Sequence, residues 1–235
     1  MPKPKPNVDA AEIRKFSALS QHWWDPDGKL KALHDINGLR LDFINRCMDL
    51  SGKQVIDVGC GGGILSEAMA ASGAVVTGID ISRSALSVAR NHAETSGLAI
   101  EYHQSTVEEM AENAAGRFDL VTCMELLEHV PDPGAIVRAC GTLAREGGAA
   151  VFATLNRNLK SWFFAIVGAE YILGLVPKGT HSYGKFIRPP ELDDWAKQSG
   201  FIPRDSIGLH YNPFLRRYSL GGNLHVNYMA HYRKS

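Results

Sequence analysis

The chain has no surplus of charge of either sign: 25 Lys and Arg stand against 25 Asp and Glu, for a formal net charge of zero. Without a basic excess there is no bulk attraction for a phosphate backbone, so no nucleic-acid partner is expected. Cysteine is scarce. Cys47, Cys60, Cys123 and Cys140 include no C-x-x-C pair, which argues against a disulfide framework or a cysteine metal site and for a reducing, cytoplasmic setting. The start, Met-Pro-Lys-Pro-Lys-Pro, has neither the apolar segment of a secretion signal nor the Arg/Ser-rich character of a transit peptide. Residues 1–8 are expected to be a disordered tail. There is no internal repeat. What remains is 235 residues, 45% hydrophobic, ample for a single α/β domain over residues 9–235.

What is present centres on Gln54-Val55-Ile56-Asp57-Val58-Gly59-Cys60-Gly61-Gly62-Gly63. Val55, Ile56 and Val58 read as a buried parallel strand. The glycines form a turn, and a helix follows from Ile64 to about Ala71. Strand, glycine turn and helix make the first unit of a nucleotide-binding sheet. Glycine lets the backbone approach a ligand and supplies positive φ. The dinucleotide pattern G-x-G-x-x-G fails, because Ile64 stands where the third glycine belongs. Asp57 suits a ligand amino group better than a pyrophosphate. Asp80 ends the next apolar run and can take both ribose hydroxyls. Asp57 to Gly63 together with Asp80 resembles the S-adenosylmethionine site of class I methyltransferases.

Ahead of the sheet, residues 9–50 read as a helical cap. Asp9 caps a helix through Ile13, Phe16 and Leu19, then Trp23-Trp24-Asp25-Pro26 enters a turn. The tryptophans fit a core better than a ligand wall. Arg40 is a candidate for a ligand carboxylate, which a guanidinium matches bidentately. Further on, Ser82 is expected to cap a helix over 84–93, and residues 100–106 form a third strand. Thr106 stands where many methyltransferases carry an acidic residue for the adenine amino group, leaving that contact to backbone or Glu108. Phe118–Met124 is the fourth strand, and Asp132-Pro133 starts a helix that Gly147-Gly148 ends. Ala149–Leu155 is the fifth strand, 190–200 a helix, and 201–209 and 226–232 the last strands.

The densest chemistry follows strand four. Glu125, Glu128 and His129 stand at i, i+3 and i+4, which one helical turn would place on a single face. Two carboxylates and an imidazole suit Mg²⁺ or Zn²⁺. Alternatively His129 is a general base oriented by a carboxylate, which makes His129 and Glu128 the catalytic candidates. Residues 157–188 form an insert longer than the usual ~2–6-residue link. Its Trp162–Val176 stretch is apolar but for Glu170, and is shorter than the ~20 residues of a membrane span. Arg157, Lys160, Lys178, Lys185 and Arg188 flank it. An apolar body with a basic rim fits an anionic membrane surface, a lid over a greasy substrate, or a plain buried helix.

Strings across the chain narrow the likeness. Trp23-Trp24-Asp25-Pro26, Leu33-His34-Asp35-Ile36-Asn37, Glu125 to Pro133, Thr154 to Asn158, Val176 to His181 and Gly208 to Pro213 together resemble the ubiquinone-biosynthesis O-methyltransferase family, from about residue 9 to 232. The resemblance implies a Rossmann-like class I fold: a seven-stranded, mostly parallel sheet with an antiparallel last strand, helices on both faces, the helical cap and the insert after strand five. It implies methyl transfer from S-adenosylmethionine to 2-polyprenyl-6-hydroxyphenol and to 3-demethylubiquinol. It matches Arg40, Gly59, Asp80 and Met124 to cofactor-binding positions, beside Asp57 and Gly61 of the glycine turn. Glu125, Glu128 and His129 match a cluster that looks like a divalent-metal site in eukaryotic relatives. A peripheral place on the inner membrane face, with other ubiquinone-biosynthesis proteins as partners, belongs to the same expectation. The rivals are another O-methyltransferase of hydrophobic phenols, a non-catalytic scaffold, and an NAD-dependent dehydrogenase, against which Ile64 and Asp57 speak.

Overall fold

The computed structural model describes residues 7–157 and 183–235. Its centre is an eight-stranded sheet in the order β3-β2-β1-β4-β5-β8-β6-β7. The strands are β1 (Gln54–Val58), β2 (Val75–Asp80), β3 (Glu101–Gln104), β4 (Phe118–Met124), β5 (Ala144–Leu155), β6 (Phe201–Asn212), β7 (Arg217–Gly221) and β8 (Asn227–Lys234). The first five pair in parallel, and the last three join antiparallel.

The helices are α1 (Ala10–Ala18), α2 (Lys31–Cys47), α3 (Ile64–Ala71), α4 (Arg83–Thr95), α5 (Val107–Asn113), α6 (Pro133–Leu143) and α7 (Pro189–Gln198). Apolar residues alternate across the strands, so both sheet faces are buried. Val55, Val76 and Val151 pack with Phe43 and Ile44 of α2 and Met69 of α3. Ile56, Val121 and Phe152 pack with Val107 of α5, Val137 of α6 and Leu192 of α7. No described helix is long and apolar enough to cross a membrane.

Local signals hold where capping chemistry decides. The Ser82 hydroxyl accepts the Ala85 N–H at the start of α4, and Asp132 accepts the Ala135 N–H ahead of Pro133 at the start of α6. Two expectations need correction. The sheet has eight strands, not seven, because Arg217–Gly221 adds an edge strand paired with β6; it is short and partly polar, and leaves little trace in the sequence. The last strand, β8, runs antiparallel to both neighbours as expected; β6 runs with β1–β5, and the added β7 runs against it. Helix α6 ends at Leu143, not at Gly147-Gly148. Those glycines lie inside β5, where Gly147 has φ +69° and the β4–β5 register shifts, as in a bulge.

At the N-terminus, Asn7 is anchored: its amide donates to the Asp132 carbonyl at 2.8 Å and its Oδ1 accepts the Asp132 N–H at 2.8 Å. Residues 1–6 of the expected tail, and residues 158–182 of the insert, lie outside the described residues. Three of the five insert basic residues are described, and all three are paired within the chain. Arg157 and Arg188 meet Glu191, and Lys185 meets Asp9 at 3.1 Å.

Candidate active site

The sheet order reverses between β1 and β4, whose following helices run to opposite faces. In open α/β sheets the crevice at such a switch point, beyond the carboxyl ends of the strands, takes the ligand. Here a cavity of about 820 Å³ lies there, lined by the ends of β1, β2 and β4 and roofed by the cap. That is within the range of small-molecule sites, roughly 300–1,000 Å³.

The glycine turn forms its floor. Gly59 has φ +73° and Gly61 φ +54°. The N–H groups of Gly59 and Cys60 bond the Ile79 carbonyl, and Gly61 N–H bonds Asp80 Oδ2 at 2.9 Å. Asp80 Oδ1 accepts the Ser82 N–H at 2.7 Å. Asp80 thus splints the ends of β1 and β2 while facing the cavity; burial raises its pKa against these backbone bonds. Asp57 lies deeper. Its two oxygens accept Ser66 Oγ at 2.7 Å and Thr122 Oγ1 at 2.9 Å, and burial again raises its pKa. Thr106 spends its hydroxyl on a capping box with Glu109 at the start of α5, so the cavity wall there is Ser105 to Glu108.

The two tryptophans divide. Trp24 stacks on the His92 ring at 3.4 Å between centroids and donates to the Gly62 carbonyl at 2.9 Å. Trp23 lies across the glycine turn and lines the cavity, so it is wall rather than core. A Cβ at Gly61 would fall 2.3 Å from its ring, and one at Gly62 2.4 Å. The glycines are therefore required by the cap as well as by any ligand.

At the end of β4, Met124 lines the cavity and Glu125 takes φ +52°, a left-handed conformation that non-glycine residues seldom adopt. The chain then enters a single 3₁₀ turn, Leu127–His129. The expected regular helical face does not form: Glu125 and Glu128 stay within reach of one another, while His129 turns to α1. Glu125 Oε1 accepts Arg40 Nη2 at 3.0 Å and Asn227 Nδ2 at 3.0 Å. Burial works to raise its pKa, but the Arg40 charge and these bonds outweigh it, and the net shift is downward. Glu128 is 3% exposed and accepts Thr154 Oγ1 at 2.9 Å. Burial, then the Glu125 charge, push its pKa well up and favour the neutral acid. His129 Nδ1 lies 3.1 Å from Glu12 Oε2 of α1. A carboxylate only accepts, so Nδ1 carries the hydrogen and the basic lone pair falls on Nε2.

Among the described residues no three His, Cys, Asp or Glu side chains are placed to hold a metal ion. With Glu125 bonded to Arg40, Glu128 to Thr154 and His129 to Glu12, the three side chains do not present one donor set for Mg²⁺ or Zn²⁺ in this arrangement. The cavity does fit a polar organic ligand. Arg40 Nε, Trp23 Nε1 and Asn227 Oδ1 are buried without a hydrogen-bond partner among the described residues, and all three residues line the cavity. A buried polar group without a partner is costly. Glu12, Asn227 and Trp23 were not singled out as site residues by the sequence. Each comes from an element far along the chain, and only a contact map could have found them.

A methyltransferase-domain family model matches residues 32–203. Among solved structures, magnesium protoporphyrin IX methyltransferase of Synechocystis PCC 6803 with bound S-adenosylhomocysteine superposes with a TM-score of 0.70 at 18% identity, covering 97% of this chain and all of that one; at that identity it speaks for the fold alone. The ubiquinone biosynthesis O-methyltransferase of Sodalis glossinidius is 57% identical over 97% of this chain and 92% of its own length. That of Aromatoleum aromaticum is 54% identical over 97% and 98%. With identity at this level sustained over nearly the whole of both chains, the chain belongs to the ubiquinone biosynthesis O-methyltransferase family.

Proposed function

We propose that the chain methylates the phenolic oxygen of 2-polyprenyl-6-hydroxyphenol and of 3-demethylubiquinol, that Arg40, Asp57, Gly59, Gly61, Asp80 and Met124 hold S-adenosylmethionine, and that His129 is the general base. The cofactor supplies a methyl group on a sulfonium, already a strong electrophile. The residues have two tasks: to place the acceptor oxygen in line and to remove its proton. A phenol of pKa about 10 is scarcely ionised at neutral pH, so the second task is the demanding one. The observation that carries the assignment is the 3.1 Å Glu12–His129 contact in the cavity wall. Glu12 sets the tautomer and orients Nε2 to take the phenolic proton, and it stabilises the imidazolium that results. Glu128, favoured as a neutral acid, can donate a hydrogen bond within the cavity. Asn227 holds Glu125 and offers its Oδ1 to a neighbouring hydroxyl.

The acceptor's polyprenyl tail is membrane-soluble, which favours a peripheral position at an anionic membrane face; in this reading that is the cytoplasmic side of the inner membrane, in reach of other enzymes that modify the same ring. The expected insert contact through residues 157–188 belongs to this reading, but Arg157, Lys185 and Arg188 spend their charge inside the chain.

Labelled S-adenosylmethionine and a short-chain prenylated catechol in detergent test the assignment, with and without EDTA. Transfer indifferent to EDTA, with His129→Ala slowing turnover about 10²–10⁴-fold while calorimetry shows cofactor still bound, is the expected result. Transfer abolished by EDTA and restored by Mg²⁺ or Zn²⁺ would overturn the base-only chemistry and require the Glu125, Glu128 and His129 side chains to regroup around the ion.

A further inference from the structure

Among the described residues four large apolar side chains are exposed: Val75, Ile202, Phe214 and Leu215. Two of these are adjacent, at the tip of the β6–β7 hairpin, and they are the most exposed of all, Phe214 at 95% and Leu215 at 69%. Hairpin tips are ordinarily built from Gly, Asn, Asp and Pro. This one keeps the device and adds the apolar pair. Asn212 Oδ1 accepts the N–H groups of Phe214 at 3.0 Å and Leu215 at 3.1 Å, and Arg216 closes the turn at φ +50°. The turn is therefore shaped by Asn212 and the register of Asn212 against Arg217. At such exposure neither apolar side chain has a folding role.

The next two residues are Arg216 and Arg217, both exposed, and among the described residues no hydrogen bond or ion pair engages either guanidinium. The other side of the same hairpin is cavity wall, through Tyr211, Pro213 and Tyr218. One loop thus joins an apolar tip, two free cations and the rim of the substrate cavity. An apolar wedge with a basic collar is complementary to an anionic bilayer, where the wedge leaves water and the collar meets lipid phosphate.

We propose that Phe214 and Leu215 insert into an anionic membrane, with Arg216 and Arg217 on its headgroups, and so turn the cavity rim toward the lipid. The proposal deepens the reading of a prenylated, membrane-borne acceptor and rests on it. It assigns membrane contact to a folded hairpin that is separate from residues 157–188.

The test is co-sedimentation of the full chain with vesicles of phosphatidylcholine, with and without phosphatidylglycerol. Phe214→Ser/Leu215→Ser should lower partitioning about ten-fold per side chain or more. Arg216→Gln/Arg217→Gln should lower it about five-fold per charge on the anionic vesicles alone. Melting temperature, cofactor affinity and turnover of a water-soluble catechol should not change in either variant. Phe214→Trp should keep binding and be quenched by brominated lipid. If the wild type binds and the serine variant binds equally, the hairpin proposal is refuted and the membrane reading survives through another segment. If the wild type stays in the supernatant, both fall. If the serine variant converts a dimer to a monomer with lipid binding unchanged, the tip serves a second copy of the chain and the proposal is wrong.

Discussion

Gly62→Ala is a sharp probe of how the cap is seated. At Gly62 a Cβ would lie 2.4 Å from Trp23 Cγ and 2.6 Å from its Cβ, against about 3.4 Å for ordinary contact. The ring root would have to move by about 1 Å, and it is the stiff end of the side chain. Overpacking of that kind costs about 1–3 kcal/mol. For a domain of this size that is a fall in melting temperature of roughly 2–12 °C. Unlike Gly61, Gly62 does not have positive φ, so its backbone imposes no penalty on alanine. Trp23→Gly removes the ring and its Cβ together, after which the unfolded-state effect of Gly→Ala remains, stabilising by about 0.4–1 kcal/mol. The sign should therefore invert: destabilising in the wild-type background, neutral to stabilising in Trp23→Gly. Urea unfolding of the four proteins of the cycle measures this directly. If Gly62→Ala costs the same with and without Trp23, the collision is not the cause and the account of the glycine turn is wrong.

Two further outcomes follow from the charged groups. Arg40→Ala leaves the largely buried Glu125 carboxylate with the Asn227 donor and without its cation; the loss is about 3 kcal/mol, read as a lowered melting point, and Glu125→Gln in the same chain should recover part of it. Calorimetry should also show weaker cofactor binding, and an unchanged melting point would refute the ion pair. Glu128→Gln addresses a carboxyl whose folded pKa lies well above its unfolded value. As pH rises the unfolded chain gives up this proton first, so wild-type stability falls between the ordinary carboxylate range and the folded pKa. Glutamine does not titrate, so the variant should gain on the wild type from pH 4 to pH 8. A stability difference that does not vary with pH over that span would mean that Glu128 is not held as the acid.

Features that depend on neighbours in the chain could be read from it directly. Ser82 and Asp132-Pro133 start helices because capping is settled within about three residues. Strand β4 appears with its expected limits, Phe118–Met124, because a β-branched and aromatic run needs no distant partner to be recognised. The Asp57–Gly63 turn and Asp80 marked the ligand end of the sheet because backbone freedom and a carboxylate at a strand end have few other uses.

Tertiary structure decided the rest. The spacing of Glu125, Glu128 and His129 is helical on paper. The chain leaving a parallel strand instead turns through a left-handed Glu125 and one 3₁₀ turn, and His129 leaves the two glutamates for Glu12. The partner of His129 is Glu12, 117 residues away, and no periodicity encodes that. Gly61 and Gly62 look in the sequence like room for a ligand; in the fold part of that room belongs to Trp23. The sequence by itself determined the sheet, its ligand edge and the family, because these arise from local backbone preference and apolar patterning. Which acid serves the histidine, which cation neutralises Glu125 and which aromatic ring closes the glycine turn were decided only when long-range packing brought those side chains together.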